Sequence, residues 1–163
     1  MLGGRVEQYY ALTAPVPVTG SWGTGNSKEW AELLSAKDSD TKVLMRYGSS
    51  NGWLDGQPAA ITRKVGKGSI TYIGAWLDES TMKNAAKWMT DTAGVTAKFG
   101  PVPDGVEVYP REGDHGKVYI LVNFSKEAQT IALPATMTDV LNGGSTHSVN
   151  LPVYGVAVVS QPR

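Results

Sequence analysis

Hydrolytic chemistry needs either two carboxylates facing one bond or a nucleophile beside a base, and this sequence has few places where such groups meet. The adjacent carboxylates Asp78-Glu79 stand just ahead of a helical pattern. Exposed backbone N–H groups at a helix start favour negative charge, so a cap accounts for the pair. His115 lies in the turn Gly113-Asp114-His115-Gly116, and His147 follows Ser145-Thr146 on a polar edge. Two isolated histidines without HxxxH or a comparable acidic spacing build no metal site. With no cysteine, the chain has no thiolate ligand, nucleophile or disulfide. The expectation is no catalytic residue, no metal and no cofactor. Two glycine-rich stretches fail as phosphate cradles. Gly20-Ser21-Trp22-Gly23-Thr24-Gly25-Asn26 does not complete GxGxxG, because Lys28 stands where the third glycine belongs, and Gly66-Lys67 is followed by Gly68 rather than Ser or Thr.

The aromatics remain. Trp22, Trp53 and Trp76 stand in or beside loops, and an indole face suits stacking on the C–H face of a sugar ring. Large aromatics are more often anchors of cores and subunit interfaces. Trp30 and Trp88 read as packing residues. Fifteen acidic side chains balance fifteen basic ones, and no basic cluster is denser than Arg63-Lys64 to Lys67. That leaves no footprint for nucleic acid. No apolar run approaches the roughly 18 residues of a membrane span, and Met1-Leu2-Gly3-Gly4-Arg5 has no signal-peptide core. A soluble, cytoplasmic chain with no membrane partner is expected.

The elements that hold these residues are short. Nineteen glycines and nine prolines punctuate the 163 residues between brief apolar runs. Arg5 to Leu12 reads as a strand, interrupted at Ala14-Pro15-Val16-Pro17. In Ser27 to Leu34, Trp30, Leu33 and Leu34 have helical spacing, although the segment is short enough for a strand. Thr41 to Tyr47 reads as a strand, Gly52 to Pro58 as a tight loop, and Ala59 to Lys64 as one arm of a hairpin turned at Gly66-Lys67-Gly68. Ser69 to Ala75 has the composition of the most buried strand. A helix follows from Asp78 to Ala93, with Met82, Ala85, Ala86, Met89 and Ala93 as its apolar stripe and Gly94 as its terminator. After Phe99 to Gly105 no helical period returns. Val106–Glu112, Lys117–Phe124, Gln129–Leu133, Thr138–Leu141 and Val153–Val159 read as short strands of an antiparallel sandwich.

The succession Trp30-Ala31-Glu32-Leu33-Leu34, Lys42 to Tyr47, Trp53-Leu54-Asp55-Gly56-Gln57-Pro58-Ala59-Ala60, Gly66-Lys67-Gly68 and Tyr72 to Asp78 resembles the β-galactosidase trimerisation domain of glycoside hydrolase family 42. Gly105 to Val108, Tyr119 to Phe124 and Leu151 to Val159 resemble that family's C-terminal β domain. The resemblance implies a partial α/β domain over residues 1–97, with a flavodoxin-like or glutamine-amidotransferase-like sheet and few helices, then a small all-β antiparallel sandwich over 104–163. It implies a parent enzyme, a retaining β-galactosidase acting on terminal non-reducing β-D-galactose, whose barrel carries both catalytic glutamates and is not among these residues. The expected role is then a non-catalytic oligomerisation and accessory region, partnered by that missing barrel. Because the likeness begins inside the α/β domain, a sheet edge would stand open, so a homo-oligomer is expected, with contacts from Val6, Tyr9, Tyr10, Leu12 and the loop around Trp22. The alternative is a free-standing carbohydrate-binding module using Trp22, Trp53 or Trp76.

Overall fold

The computed structural model describes residues 2–50 and 52–162. The chain divides between Val95 and Thr96 into two compact units. The first contains strands β1 (Gly4–Ala11), β2 (Val16–Gly20), β3 (Gly23–Ala36), β4 (Lys42–Tyr47), β5 (Pro58–Val65), β6 (Gly68–Ile73) and β7 (Ala75–Leu77), then helix α1 (Glu79–Thr92). The second contains β8 (Val106–Gly113), β9 (Gly116–Asn123), β10 (Gln129–Asp139), β11 (Ser145–Leu151) and β12 (Val156–Pro162). Among the described residues no helix is long and apolar enough to cross a membrane.

β3 organises the first unit. β1 lies along its C-terminal half and β2 along its N-terminal half, so residues 4–20 and 23–36 form one long hairpin that breaks near Pro15. From β2 the pairing passes to β4, β5 and β6, and β7 brings it back to β3. Every pairing is antiparallel. A flavodoxin-like sheet was expected, but its parallel neighbours need crossover helices, and the described residues of this unit form one helix and mostly short turns. What holds is a β-rich fold with two antiparallel sheets.

Ser27 to Leu34 is strand rather than helix. Glu29 takes a positive φ of 51°, and the β3–β7 register slips between Ser27 and Ala31. Such a bulge inserts extra residues and breaks the period of two, which gives Trp30, Leu33 and Leu34 their helical spacing. The buried Ser27 hydroxyl secures the bend by donating to the Trp30 carbonyl at 2.7 Å.

The buried strand is also another one. Ala59, Ala60 and Ile61 of β5 are fully buried, whereas Ser69 is exposed and Ile70 to Ile73 stay half-covered. Beneath them the Tyr47 hydroxyl sits at the centre of the sheet, 3.1 Å from Glu32 O and 3.0 Å from Gly74 O, and it accepts from Glu32 N at 3.2 Å. Burial pushes the phenol pKa well above its ordinary value. Gly74 lies close under Leu34, where a Cβ would stand 3.0 Å from that side chain and push it aside.

Helix α1 begins where the sequence places it. The Asp78 carboxylate accepts from Thr81 N (2.9 Å) and Ser80 Oγ (2.9 Å), and also from Asn26 N of β3 (2.6 Å), so the cap ties helix to sheet. These bonds, that from the Thr81 backbone first, hold its pKa far below the ordinary 3.8. Gly94 closes the helix at φ 65°, with Val95 N reaching back to Thr90 O. The stripe is rotated, however: Thr81, Ala85 and Trp88 face the core, while Met82 and Met89 remain 40% and 37% exposed. The sheet approaches so closely that only small side chains fit beneath the first two turns. A Cβ at Gly25 would collide with Thr81 and Asp78.

In the second unit the order is β11-β10-β12-β9-β8, one continuous sheet rather than the expected two stacked sheets. Residues 129–133 and 138–141, expected as separate strands, largely merge into β10, which shifts register around Pro134, and β11 was not anticipated. Leu121, Ile131, Met137, Leu151 and Val159 share one core cluster, so the sheet curls around it. Asn123, fully buried, plays the part of Tyr47 here. Its amide donates to Glu127 O (2.7 Å) and Pro152 O (2.9 Å), and its oxygen accepts from Ser125 N (2.9 Å) and Ser125 Oγ (2.7 Å).

Two outcomes follow. Met89→Ala should cost less than about 1 kcal/mol in chemical denaturation, since the side chain is partly in solvent, whereas Ala85→Leu should cost about 1–3 kcal/mol by overpacking. Asp78→Ala should cost about 1 kcal/mol at neutral pH. Because the folded pKa is depressed, that stabilisation is present above the unfolded value near 3.8 and is lost as pH falls toward the folded value. The gap between wild type and variant should therefore narrow below about pH 4 in acid titrations followed by circular dichroism; a constant gap would contradict the cap.

Candidate functional site

Several carboxylates of the first unit hold structural bonds. Asp78 is the cap just described, and Glu79 pairs with Lys83 at 3.2 Å on an exposed helix face. Asp38 and Asp40 both bind Arg63, at 2.6 and 2.9 Å, which fastens β5 to the turn after β3. Glu7 takes bonds from Arg5, Ser35 and Lys37, the Arg5 guanidinium foremost, and its pKa falls to about 2. In the second unit His115 occupies the β8–β9 turn, and His147 on β11 shares a hydrogen bond with Thr136. Among the described residues no group of three or more acidic, histidine or cysteine side chains could hold a metal ion. The Gly20 to Asn26 stretch is the β2–β3 hairpin, with no helix after it to receive a phosphate.

The three tryptophans singled out by sequence part company. Trp22 fills the hairpin tip and is 3% exposed. Its carbonyl accepts from Asn84 of α1 at 3.0 Å, and its ring lies 5.8 Å from Trp88. It is a core anchor, and no sugar can stack on it in this fold. Trp53 lies against Tyr10, ring centroids 3.7 Å apart, at one wall of a cavity of about 320 Å³ bounded by residues 11–16 and Ser50. Trp76 is 60% exposed on the outer face of β7, opposite the bulge in β3.

The proposed contact residues also divide. Val6 and Tyr9 of β1 are exposed, Tyr9 by 68%, whereas Leu12 packs on the core and Tyr10 leans on Trp53. Tyr9 stacks on Trp30 with centroids 5.1 Å apart and planes within 15°. Trp30, read from sequence as a packing residue, donates its indole N–H to Glu32 at 3.2 Å and stays part-exposed. β1 pairs with β3 alone and ends the run of pairings. Tyr9 and Trp30 thus present aromatic surface near the open edge of β1, and Trp76 is exposed separately on β7. The exposure of Trp30 goes with the bulge in β3, which no local pattern announces.

Comparison with known proteins places this geometry. Residues 1–96 match the family model for the beta-galactosidase trimerisation domain, and residues 105–161 match that for the beta-galactosidase C-terminal domain. Beta-galactosidase BglY of Alicyclobacillus acidocaldarius is 29% identical over 163 residues, which is 98% of this chain and 23% of that protein. Beta-galactosidase Bga of Halorubrum lacusprofundi is 29% identical over 147 residues, 81% of this chain and 20% of that protein. Among solved structures, a catalytic mutant of Gan42B, a GH42 beta-galactosidase from G. stearothermophilus, shares the fold with a TM-score of 0.85 at 20% identity, over 99% of this chain and 24% of that one. The polyextremophilic enzyme of Halorubrum lacusprofundi gives 0.73 at 26% identity, over 99% of this chain and 23% of its own. The chain spans about a quarter of the length of these relatives. It belongs to the glycoside hydrolase family 42 β-galactosidases, of which it carries the trimerisation domain and the C-terminal domain.

Proposed function

We propose that these two units are the non-catalytic assembly and accessory part of a β-galactosidase, and that the parent activity is hydrolysis of terminal non-reducing β-D-galactose by a retaining mechanism. The observation that carries this reading is the match of the two family models, in order, across both units. A retaining enzyme needs two carboxylates about 5 to 5.5 Å apart across the scissile bond. Asp78 is committed to a cap, Asp38 and Asp40 to an arginine bridge, and Glu7 and Glu79 to surface ion pairs. The catalytic barrel partners the chain from outside these residues. Copies associate through the first unit, by the free edge of β1 and the aromatic surface of Tyr9, Trp30 and Trp76. Near-zero net charge opposes association little.

A second reading, a carbohydrate-binding module, keeps one specific support: Trp76 offers an exposed ring and Trp53 lines a cavity. Fluorescence titration with galactose, lactose and a β-galactan separates the two, since the assembly reading expects no saturable change.

The assembly reading predicts a concentration-dependent oligomer in sedimentation. Tyr9→Lys should shift it at least tenfold toward monomer while leaving the far-ultraviolet spectrum intact. A monomer up to high micromolar, indifferent to Tyr9→Lys, would overturn it, as would turnover of a chromogenic β-galactoside by the chain alone.

A further inference from the structure

Glu7, Asp38, Asp40, Glu79 and Asp91 of the first unit each face a lysine or arginine. Glu32 does not. Its oxygens accept from neutral donors, Oε1 from the Trp30 indole N–H at 3.2 Å and Oε2 from the Tyr72 hydroxyl at 2.7 Å. These bonds orient the carboxylate without cancelling its charge, and among the described residues no ion pair reaches it. Each oxygen keeps a second lone pair. The side chain is half-buried, and Tyr9, stacked on Trp30, stands directly opposite it in the β1–β3 register. A partly desolvated anion beside exposed aromatic rings is costly until a cation joins it.

That combination selects the cation. A guanidinium is planar, lies flat on an aromatic face and offers paired N–H donors to a carboxylate, whereas an ammonium is a point charge with no flat face. The first unit carries such a group in Arg46. Arg5 is held by Glu7, and Arg63 by Asp38 and Asp40. Arg46 stands on β4 between the buried Met45 and Tyr47, so it faces outward. Its guanidinium donates to Gly56 O at 2.9 Å and meets no carboxylate among the described residues. Glu32 lies where β3 pairs with β1, and Arg46 where β4 pairs with β2 and β5, so one copy does not close the pair by itself.

Symmetry says where the partner comes from. Residues 1–96 match the model of a trimerisation domain. A cyclic ring of three identical chains has no twofold axis between neighbours, so each contact joins two different patches. An acceptor patch and a separate donor on the same chain meet that condition; two β1 edges paired with each other would stop at a dimer. We propose that the Glu32 carboxylate of one copy takes the Arg46 guanidinium of the next, flanked by the Tyr9–Trp30 stack, so that copies join head to tail. The proposal rests on the assembly reading above and names the two patches that meet.

Charge reversal with rescue tests it in the 163-residue chain, by sedimentation over a concentration series with far-ultraviolet circular dichroism as the check on folding. Glu32→Lys and Arg46→Glu should each shift association at least tenfold toward monomer. The double variant restores the pair with its signs exchanged and should return to within about threefold of wild type. A double variant as weak as the singles overturns the proposal, and so does association indifferent to Arg46→Glu. Should Glu32→Lys not fold, the neutral set Glu32→Gln, Arg46→Gln and both together decides: the combined variant should be no weaker than the weaker single, and additive losses overturn the pair. A saturable change of tryptophan fluorescence with galactose or lactose, abolished by Glu32→Gln, would make the patch a sugar site and also overturn it. A monomeric wild type overturns the assembly reading and the pair with it. An oligomer broken by Tyr9→Lys but not by Arg46→Glu overturns the pair alone.

Discussion

Each unit depends on one buried polar side chain that backbone groups must satisfy. The Tyr47 phenol has a single proton, yet it lies within hydrogen-bond reach of two carbonyls and one N–H, all from strands that are far apart in sequence. A hydroxyl in that position costs free energy unless Glu32 and Gly74 arrive together. Their arrival brings β3 against the junction of β6 and β7, and so returns the pairing to β3. Asn123 imposes a similar condition on the second unit, where the loop at 125–127 and the turn at 152–155 close around one carboxamide. Removing either side chain deletes several hydrogen bonds at once, while Glu32 N still donates to Gly74 O at 2.7 Å and Gly155 N to Pro152 O at 2.8 Å. Apolar burial makes these sheets compact, and the two polar contacts select which loops meet.

Legibility in the sequence followed the range of the interaction. The helix limits were readable because a cap and a glycine terminator act within a turn of the chain: Asp78 on Thr81, Gly94 after Thr90. The hairpins β5–β6 and β8–β9 were readable from their turn residues. The face of α1 was not, because Met82 and Met89 are more apolar than Thr81, and only the closeness of the sheet at Gly25 makes the smaller residue the inward one. β3 was ambiguous for a related reason. Its bulge turns a period of two into spacings of three and four, and the bulge exists because β3 changes partner from β2 to β1 there.

The candidate site was legible by residue type and not by exposure. The aromatics stand out by type, but whether an indole faces core or solvent was decided by packing partners distant in sequence. Trp22 meets Met45, Asn84 and Trp88 and disappears from the surface. Trp30 gains its stacking partner Tyr9 only because β1 pairs with β3. Asn123 and Tyr47 had no marker at all, since a buried asparagine or tyrosine is recognised by the loops it satisfies.

The charges complete the argument about what these domains do. Carboxylates serving as acid or base need pKa values near the working pH, reached by burial or by a like-charged neighbour. The carboxylates shifted here move the other way: Asp78, Glu7 and Asp139 are all lowered by hydrogen bonds they accept. Such groups are fixed anions, useful for fastening a helix, a strand and a turn.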